Sequence, residues 1–260
     1  MKRQIRSSVV LRNIREVING GKAKATRIEN SQLYRVKDEE KEIVISRLGR
    51  LGLYRQGIGR RIDRLVESYC LNGIVRKGDI FIDVGANIGE LGVWVTSLDG
   101  MYVGIEPEEK EFEALQRNVP DGALYNVGAW HTNSILKFYS KGETADSSII
   151  PIERFDRVSE ISVRTIDDIV DAQSIREIRV LKVETEGAEP EVLQGARETL
   201  NMCEFVALDC GEERGVENAS TFLACHQILS ESGFSPFRDN LRQYRLLYKN
   251  TWIQPRSATP

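Results

Sequence analysis

The stretch Asp83-Val84-Gly85-Ala86-Asn87-Ile88-Gly89-Glu90-Leu91-Gly92 decides the fold of this chain. The apolar run at 79–84 predicts a strand, and residues 91–98 predict a helix that follows it. Glycines at 85 and 89 let the backbone turn sharply and approach a ligand closely. The helix N-terminus offers unpaired N–H groups and the positive end of a dipole, which suit a carboxylate. The stretch therefore predicts a ligand-binding turn between a strand and a helix.

The spacing of these glycines differs from that of a dinucleotide-binding loop. G-x-G-x-x-G would need glycine at position 87, where this chain has Asn87. Asp83, at the end of the strand, would repel a pyrophosphate but attract a cationic sulfonium or ammonium group. Glu106 ends the next predicted strand, where a carboxylate can accept hydrogen bonds from both hydroxyls of a ribose. A ligand with an amino-acid end, a positive centre and a ribose is S-adenosylmethionine.

From residue 78 onward, short apolar runs alternate with helical patterns. The predicted strands are 79–84, 101–105, 123–127, 135–139, 160–163, 178–183, 205–208 and 244–249. The predicted helices are 91–98, 108–119, one that starts near 165, 190–200 and 220–232. This alternation predicts an α/β fold with a mostly parallel sheet and helices on both faces. In such sheets the ligand binds beyond the carboxyl ends of the strands.

Residues 1–74 are predicted to form an N-terminal extension to a domain at 75–260. The extension should contain a basic helix within 1–30, a short β-hairpin from 31–37 and 42–46, and a helix at 60–71. Residues 1–79 carry 19 Lys and Arg against 9 Asp and Glu, whereas the whole chain has a net charge of −3. A basic front can attract a phosphate-bearing acceptor or bring about peripheral membrane contact. The alternative is a solvated helix face.

The composition excludes several classes of protein. Apolar residues make up 41% and charged residues 29%, which is typical of a globular chain rather than a disordered one. The sequence has no run of 18 apolar residues and therefore predicts no transmembrane helix, and the N-terminus does not resemble a signal peptide. The four cysteines form no CxxC pair, which favours free thiols and a cytoplasmic location. The basic region lacks interleaved aromatic residues, so nucleic acid is not an expected partner.

Several segments carry a recognisable family pattern: KGDIFIDVGANIGELG (77–92), VGIEP (103–107), LYNVGAW (124–130), DSSI (146–149), VRTIDDI (163–169) and LKVETEGAEPEVLQGA (181–196). Together they resemble the FkbM family of class I methyltransferases over roughly residues 75–235. The resemblance implies a Rossmann-like sheet and transfer of a methyl group from S-adenosylmethionine, usually to a hydroxyl oxygen of a sugar, glycolipid or natural product. It also implies that six residues bind the cofactor: Asp83, Gly85, Asn87, Gly89, Glu106 and Asn126. Of these, Asn126 would lie on the adenine side.

Three residues are candidates for the chemistry. A hydroxyl acceptor must lose its proton, so a general base or a metal ion helps. Glu184, where the family usually has aspartate, follows the strand predicted at 178–183 and is the first candidate for base, acceptor anchor or metal ligand. Glu186 is the second candidate, and His131, after the third strand, is another. Each could instead be an ordinary turn or loop residue, and the sequence leaves the need for a divalent metal open.

Two other functions fit parts of the pattern. A nucleotide-binding oxidoreductase can use a similar sheet, but it would be expected to carry the G-x-G-x-x-G loop that is absent here. A non-catalytic cofactor-binding module would have the same turn without a productive acceptor site. The sequence favours the methyltransferase over both.

Overall fold

The structure is a computed structural model that describes residues 2–142 and 147–253. Its helices are α1 (Lys2–Ile18), α2 (Ile58–Ser68), α3 (Glu90–Ser97), α4 (Glu109–Asn118), α5 (Ile166–Ala172), α6 (Glu189–Gln194), α7 (Arg197–Leu200) and α8 (Phe222–Glu231). Its strands are β1 (Lys24–Arg27), β2 (Tyr34–Lys37), β3 (Glu42–Ile45), β4 (Ile80–Val84), β5 (Met101–Ile105), β6 (Ala123–Tyr125), β7 (Gly128–Ala129), β8 (Ser134–Ser140), β9 (Arg157–Arg164), β10 (Ile178–Val183), β11 (Cys203–Asp209), β12 (Glu212–Arg214), β13 (Ala219–Ser220), β14 (Phe234–Asn240) and β15 (Arg245–Asn250). Short 3-10 helices lie at Leu48–Tyr54 and Leu241–Gln243.

A seven-stranded sheet forms the centre of the molecule, in the order β14-β15-β11-β10-β4-β5-β6. Strands β6, β5, β4, β10 and β11 run parallel to one another, and β15 runs antiparallel to both β11 and β14. This confirms the prediction of a Rossmann-like, mostly parallel sheet. The chain passes from β4 outward to β6 and then returns to β10 on the other side of β4. The carboxyl ends of β4 and β10 therefore flank a point where the strand order reverses, which is where such sheets bind ligands.

The two faces of the sheet bury separate hydrophobic clusters, as expected because alternate strand residues point to opposite faces. Phe81 of β4 belongs to a cluster with side chains from α2, α3 and α4, whereas its neighbour Ile82 belongs to a cluster with α5, α6, α7 and α8. Helices on both faces are therefore confirmed. All residues of β10 and β11 are buried, which fits the mostly apolar sequences of these strands, and the charged residues within them, among them Lys182 and Glu204, are buried as well.

The N-terminal residues form a small antiparallel sheet, β1-β2-β3, between two helices. The expected hairpin is present as β2 and β3, but the basic helix ends at Ile18 and a further strand, β1, pairs with β2. Buried side chains of this region, such as Leu33 and Ile43, share one cluster with Phe81 of the central sheet. The division of the chain near residue 74 stays a prediction.

Two corrections concern the C-terminal part. Strand β14 was not expected, because its residues do not alternate between apolar and polar and it contains Pro236. It lies at the edge of the sheet, where proline is tolerated. The helix expected over 190–200 is divided into α6 and α7 at Gly195. A Cβ atom at Gly195 would lie 2.2 Å from the carbonyl oxygen of Trp130, so the close passage of these two backbone segments requires glycine there.

Two expectations from composition can also be compared with the structure. Cys70, Cys203, Cys210 and Cys225 are free thiols, and all but Cys70 are buried. Within residues 2–142 and 147–253, no helix has both the length and the apolar character needed to cross a bilayer.

Candidate active site

The turn after β4 requires glycine at its first position. Gly85 has φ +76°, and a Cβ atom there would lie 1.8 Å from the carbonyl oxygen of Glu184. The N–H groups of Gly85 and Ala86 both donate to the carbonyl oxygen of Ile105 at 3.0 Å, so the turn is fixed to the end of β5. Asn87 also lies in the left-handed region, at φ +50°, which asparagine tolerates better than most residues. The turn therefore crosses directly over the start of the β10 loop.

Gly89, at the start of α3, has a packing role in this structure. Its φ is +83°, and a Cβ atom there would lie 2.5 Å from Cδ1 of Leu115 on α4. Gly89 does not line the cavity described next. Its predicted role in cofactor binding stays a prediction.

A cavity opens at the carboxyl ends of β4, β5 and β10, with about 650 Å³ of empty space that includes open solvent. The turn after β4, the end of β5, β7 and the loop after β10 form its walls, and Phe138 and Ile149 add apolar surface. The cavity brings together the predicted site residues Gly85, Asn87, Glu106, Glu184 and Glu186.

Glu106 lies at the end of β5 with both carboxylate oxygens held by backbone N–H groups. Asn87 N–H donates to Oε2 and Glu108 N–H donates to Oε1, each at 2.8 Å. Burial, together with the negative charge of Glu111, raises the pKa of Glu106 from 4.5 to about 8. Each oxygen accepts one backbone hydrogen bond and keeps further acceptor capacity. The side chain is therefore fixed in position and can still accept hydroxyl groups.

Asn126 supports the same strand end from outside the cavity. Its Nδ2 donates to the carbonyl oxygens of Glu106, at 2.9 Å, and Pro107, at 3.2 Å. The residue is exposed and does not line the cavity. Its predicted place on the adenine side stays a prediction, whereas its contacts with the backbone of the β5 end are present in the structure.

Asp83 lies beneath the cavity and is paired within the protein. Its Oδ1 lies 3.0 Å from Nζ of Lys182, its partner in register on β10, and its Oδ2 accepts a hydrogen bond from the hydroxyl of Tyr102 at 2.7 Å. The residue is 1% exposed and does not line the cavity. Lys182 also donates to the carbonyl oxygen of Gly85 at 2.8 Å. Asp83 and Lys182 therefore join the glycine turn to β10.

Glu184 is held by two cations at the wall of the cavity. Its Oε2 lies 3.2 Å from Nζ of Lys182, and its Oε1 lies 2.8 Å from a guanidinium nitrogen of Arg245 on β15. Burial alone would raise the pKa of Glu184, but the positive charges of Lys182 and Arg245 outweigh it and lower the pKa to about 2. Glu184 is therefore an ionised carboxylate at any pH at which the protein would be assayed.

Arg245 connects Glu184 to two further elements. It lies 2.9 Å from Oδ2 of Asp209, at the end of β11, and donates to the hydroxyl oxygen of Ser68 at 2.6 Å. Its guanidinium carbon lies 4.2 Å from the ring centroid of Tyr69, a cation–π distance. Burial and the charge of Glu184 raise the pKa of Asp209 to about 6. The N-terminal region, through Ser68 and Tyr69, thus helps to fix the carboxylate at the cavity.

The loop after β10 is shaped by Glu189 rather than by continued strand. Oε1 of Glu189 accepts hydrogen bonds from the N–H groups of Thr185, at 2.8 Å, and Gly187, at 3.1 Å. Glu186 has φ +53°, so strand β10 does not continue through it. Glu184 and Glu186 are therefore not placed on one face as two alternate residues of a strand would be. Ser148 donates to the carbonyl oxygen of Glu186 at 2.7 Å. The neighbouring Asp146, part of the DSSI segment, lies outside the described residues.

His131 follows β7 and is exposed. Its ring packs beside that of Trp130, with centroids 5.3 Å apart, and it does not line the cavity. The structure therefore does not bring His131 together with Glu184 and Glu186. Its predicted catalytic role stays a prediction.

Comparison with known families decides the class of this site. The model of the methyltransferase FkbM domain matches residues 83–236, more than half of the 260 residues. The chain belongs to the FkbM methyltransferase family. The match begins at Asp83 and includes both the glycine turn and the loop after β10. No curated protein matches the chain.

Distant solved structures are also similar to this FkbM methyltransferase. A TehB-like SAM-dependent methyltransferase from Corynebacterium glutamicum is 9% identical, covers 74% of this chain and 96% of its own, and has a TM-score of 0.42. Magnesium protoporphyrin IX methyltransferase from Synechocystis, solved with bound SAH, is 11% identical, with coverages of 77% and 86% and a TM-score of 0.44. TrmK from M. capricolum, in complex with S-adenosyl-homocysteine, is 12% identical, with coverages of 72% and 68% and a TM-score of 0.40. The family assignment depends on the FkbM match and not on these structures.

Sequence reasoning missed the cations of this FkbM site. Lys182 had a signal, since it is a charged residue inside a strand that is otherwise apolar around it. A charge in such a position is usually paired, and Asp83 is its neighbour in register. Arg245 and Tyr69 had no comparable signal, because they reach the site from distant parts of the chain.

The sequence left open whether the protein needs a divalent metal ion. Within residues 2–142 and 147–253, no group of three or more His, Cys, Asp or Glu side chains is arranged to hold a metal ion. Glu184, which the sequence suggested as a candidate metal ligand, forms ion pairs with Lys182 and Arg245.

Proposed function

We propose that this FkbM methyltransferase uses S-adenosylmethionine to methylate a hydroxyl oxygen of a sugar, glycolipid or natural product. The observation that supports this most is the presence of two fixed carboxyl groups at one cavity. Glu106 is fixed by backbone N–H groups with acceptor capacity left over, and Glu184 is kept ionised by two cations. The first suits a ribose, and the second suits an acceptor hydroxyl.

The residues at the cavity fit the cofactor. Glu106 would accept the ribose hydroxyls, and apolar surface from Ile105 and Phe138 would contact the adenine. Oε2 of Glu108 is buried at the same cavity and has no hydrogen-bond partner among the described residues, so it is available to a donor group of the ligand. When bound, S-adenosylmethionine supplies a methyl carbon activated by its sulfonium.

Glu184 would orient the acceptor and receive its proton. Its carboxylate can accept a hydrogen bond from the acceptor hydroxyl, which directs an oxygen lone pair toward the methyl carbon. With S-adenosylmethionine bound, Glu184 would take up the proton that the hydroxyl oxygen must lose on gaining the methyl group, because an oxygen with three bonds is far more acidic than a carboxylic acid. A carboxylate with a pKa of about 2 is a weak base toward a free alcohol but can accept the proton at that stage.

Lys182, Arg245 and Asp83 would act through Glu184 rather than on the substrate. Lys182 and Arg245 fix the two oxygens of Glu184 and keep it charged. Asp83 neutralises Lys182 within a fully buried pair. In this arrangement Asp83 serves the cofactor site by holding the turn at Gly85 through Lys182, and a direct contact with the cofactor stays a prediction.

A transfer assay tests the proposal. The enzyme is incubated with S-adenosylmethionine carrying a tritiated methyl group and with panels of sugars, glycolipids and hydroxylated metabolites, in the presence of EDTA or of Mg²⁺. We expect label in an ether product. Label in an amine or in no acceptor of these classes would contradict the proposal. The two metal conditions decide whether a divalent ion contributes.

Variants assign the role of Glu184. Glu184→Gln should lower kcat by about 10²-fold or more, as for loss of a general base, while the affinity for S-adenosylhomocysteine changes little. Glu212→Gln is the matched control, because Glu212 is an exposed carboxylate outside the cavity. A wild-type kcat in Glu184→Gln would remove Glu184 from the chemistry, and Glu186→Gln would then be the next variant to measure.

A further inference from the structure

Helix α1 is oriented with its polar side toward the protein and its apolar side toward solvent. The residues on the inward side include Arg12, Asn13, Glu16 and one buried apolar residue, Val9, whereas the outward face is apolar. Amphipathic helices of globular proteins normally show the reverse orientation. The inverted orientation of α1 therefore requires an explanation beyond the packing of the monomer.

The polar side of α1 is firmly attached. Asn13 pairs with both backbone groups of Ala25 on β1: its Oδ1 accepts from the N–H at 2.8 Å, and its Nδ2 donates to the carbonyl oxygen at 2.7 Å. Arg12 donates to the carbonyl oxygen of Gly49 at 2.6 Å. Glu16, 2% exposed, lies 3.1 Å from Nε of Arg55. These contacts fix which side of the helix faces outward.

The outward side carries a continuous apolar stripe. At 100° per residue its five members fall within an arc of about 120° on the side opposite Arg12 and Glu16, and Asn13 lies at the flank of this arc. Their exposed fractions are 55% for Val10, 65% for Leu11, 50% for Ile14, 52% for Val17 and 79% for Ile18. Isolated exposed apolar residues are ordinary, but a stripe of five on one helix face marks an interaction surface.

The charges around this stripe select its partner. The acidic residue of α1, Glu16, is buried and paired, whereas Arg15 is exposed beside the stripe. Lys2, Arg3 and Arg6 belong to the same helix. A helix with an apolar face and basic residues is the kind that lies in the interface of a membrane and is attracted by anionic lipids. The acidic remainder of the chain would be repelled by such a surface, which favours contact through this end.

We propose that the outward face of α1, formed by Val10, Leu11, Ile14, Val17 and Ile18, binds the surface of an anionic lipid membrane. The apolar side chains enter the boundary between headgroups and acyl chains, and Arg15 contacts the lipid phosphates. The helix lies on the membrane and does not cross it. This inference does not depend on the proposed acceptor, because it rests on α1 alone.

Vesicle sedimentation tests the proposal with the full chain. Wild-type protein should sediment with vesicles of equal parts phosphatidylcholine and phosphatidylglycerol, and much less with phosphatidylcholine alone or at high salt. The double variant Leu11→Ser, Ile14→Ser should reduce the partition coefficient at least about tenfold, since it removes two apolar side chains from the contact. The matched control is Ile135→Ser, Leu223→Ser, which replaces two exposed apolar residues elsewhere and should partition like the wild type.

Three results would overturn the proposal. The first is wild-type protein that does not sediment with the anionic vesicles, and the second is a double variant that sediments as well as the wild type. The third is a dimer of the wild-type protein in sedimentation velocity that the Leu11→Ser, Ile14→Ser variant abolishes, because the stripe would then bind a second copy of the chain. Circular dichroism and wild-type transferase activity on a soluble acceptor verify that the double variant remains folded.

Discussion

Replacing Glu106 by glutamine should change the stability of the protein in opposite directions at low and high pH. Glu106 is buried, and its pKa is raised from 4.5 to about 8 mainly by burial. A group whose pKa is higher in the folded state contributes stability that is complete below the unfolded pKa and is lost as the pH rises through the folded pKa. Wild-type Glu106 therefore costs the folded state increasing free energy between pH 4.5 and pH 8, and glutamine does not.

The size of the effect follows from these values. Proton linkage gives a cost from ionising Glu106 of about 1 kcal/mol at pH 5 and about 4 kcal/mol at pH 8. The glutamine side chain can accept only one of the N–H groups of Asn87 and Glu108, and leaving the other unpaired costs about 1–3 kcal/mol. Glu106→Gln should thus be equal to or less stable than wild type at pH 5. It should be about 1–3 kcal/mol more stable at pH 8.

Urea unfolding at pH 5 and pH 8 measures this difference, and calorimetric titration with S-adenosylhomocysteine measures cofactor binding. We expect the variant to gain relative stability at pH 8 and to lose most of its affinity. Glu109→Gln is the control, because Glu109 is an exposed carboxylate nearby whose loss should alter neither quantity much. A stability difference that is the same at both pH values would refute the reasoning about burial. Unchanged affinity would remove Glu106 from the ribose site.

Three further variants test the architecture around the site. Lys182→Met should lower the free energy of unfolding by about 3–5 kcal/mol, because it leaves the buried Asp83 without its ion-pair partner. Adding Asp83→Asn should recover most of that loss in urea denaturation. No recovery would mean that the two residues are not coupled. Tyr102→Phe should cost about 1–3 kcal/mol by removing the hydrogen bond to Asp83, with cofactor affinity unchanged in calorimetry; a large loss of affinity would place Tyr102 in the site. Gly85→Ala should prevent the native turn, since its Cβ would lie 1.8 Å from a carbonyl oxygen. Gly73→Ala is the control: it is also at positive φ but in open space, and it should lower the free energy of unfolding by only about 1–2 kcal/mol. Equal melting temperatures for the two variants would contradict the steric argument.

The network around Glu184 resembles the arrangement by which proteins keep a functional carboxylate charged. Lys182 and Arg245 lower its pKa, and Asp83 and Asp209 balance the two cations. Breaking such a buried pair is costly, whereas the intact pair adds little to stability. The network is therefore better explained by the position and charge of Glu184 than by stability of the fold.

Local patterns in the sequence were sufficient for the fold class and for part of the cavity. Strand, glycine turn and helix follow one another within residues 80–97, and the strand–helix alternation implies a parallel sheet. Glu106 and Glu184 lie at the cavity because both follow strands whose carboxyl ends meet at one edge. The edge strand β14 had no such pattern, since its exposed residues do not alternate.

The sequence alone determined the α/β sheet, the glycine turn and the edge at which a ligand binds, because each depends on residues that are neighbours along the chain. Tertiary structure alone decided what surrounds Glu184, because Arg245 is 61 positions away and approaches on an antiparallel strand. It also decided that Asp83 lies under the cavity rather than in it. The same holds for α1: its periodicity shows an apolar stripe, but only the contacts of Asn13 and Glu16 with distant backbone and side chains turn that stripe toward solvent.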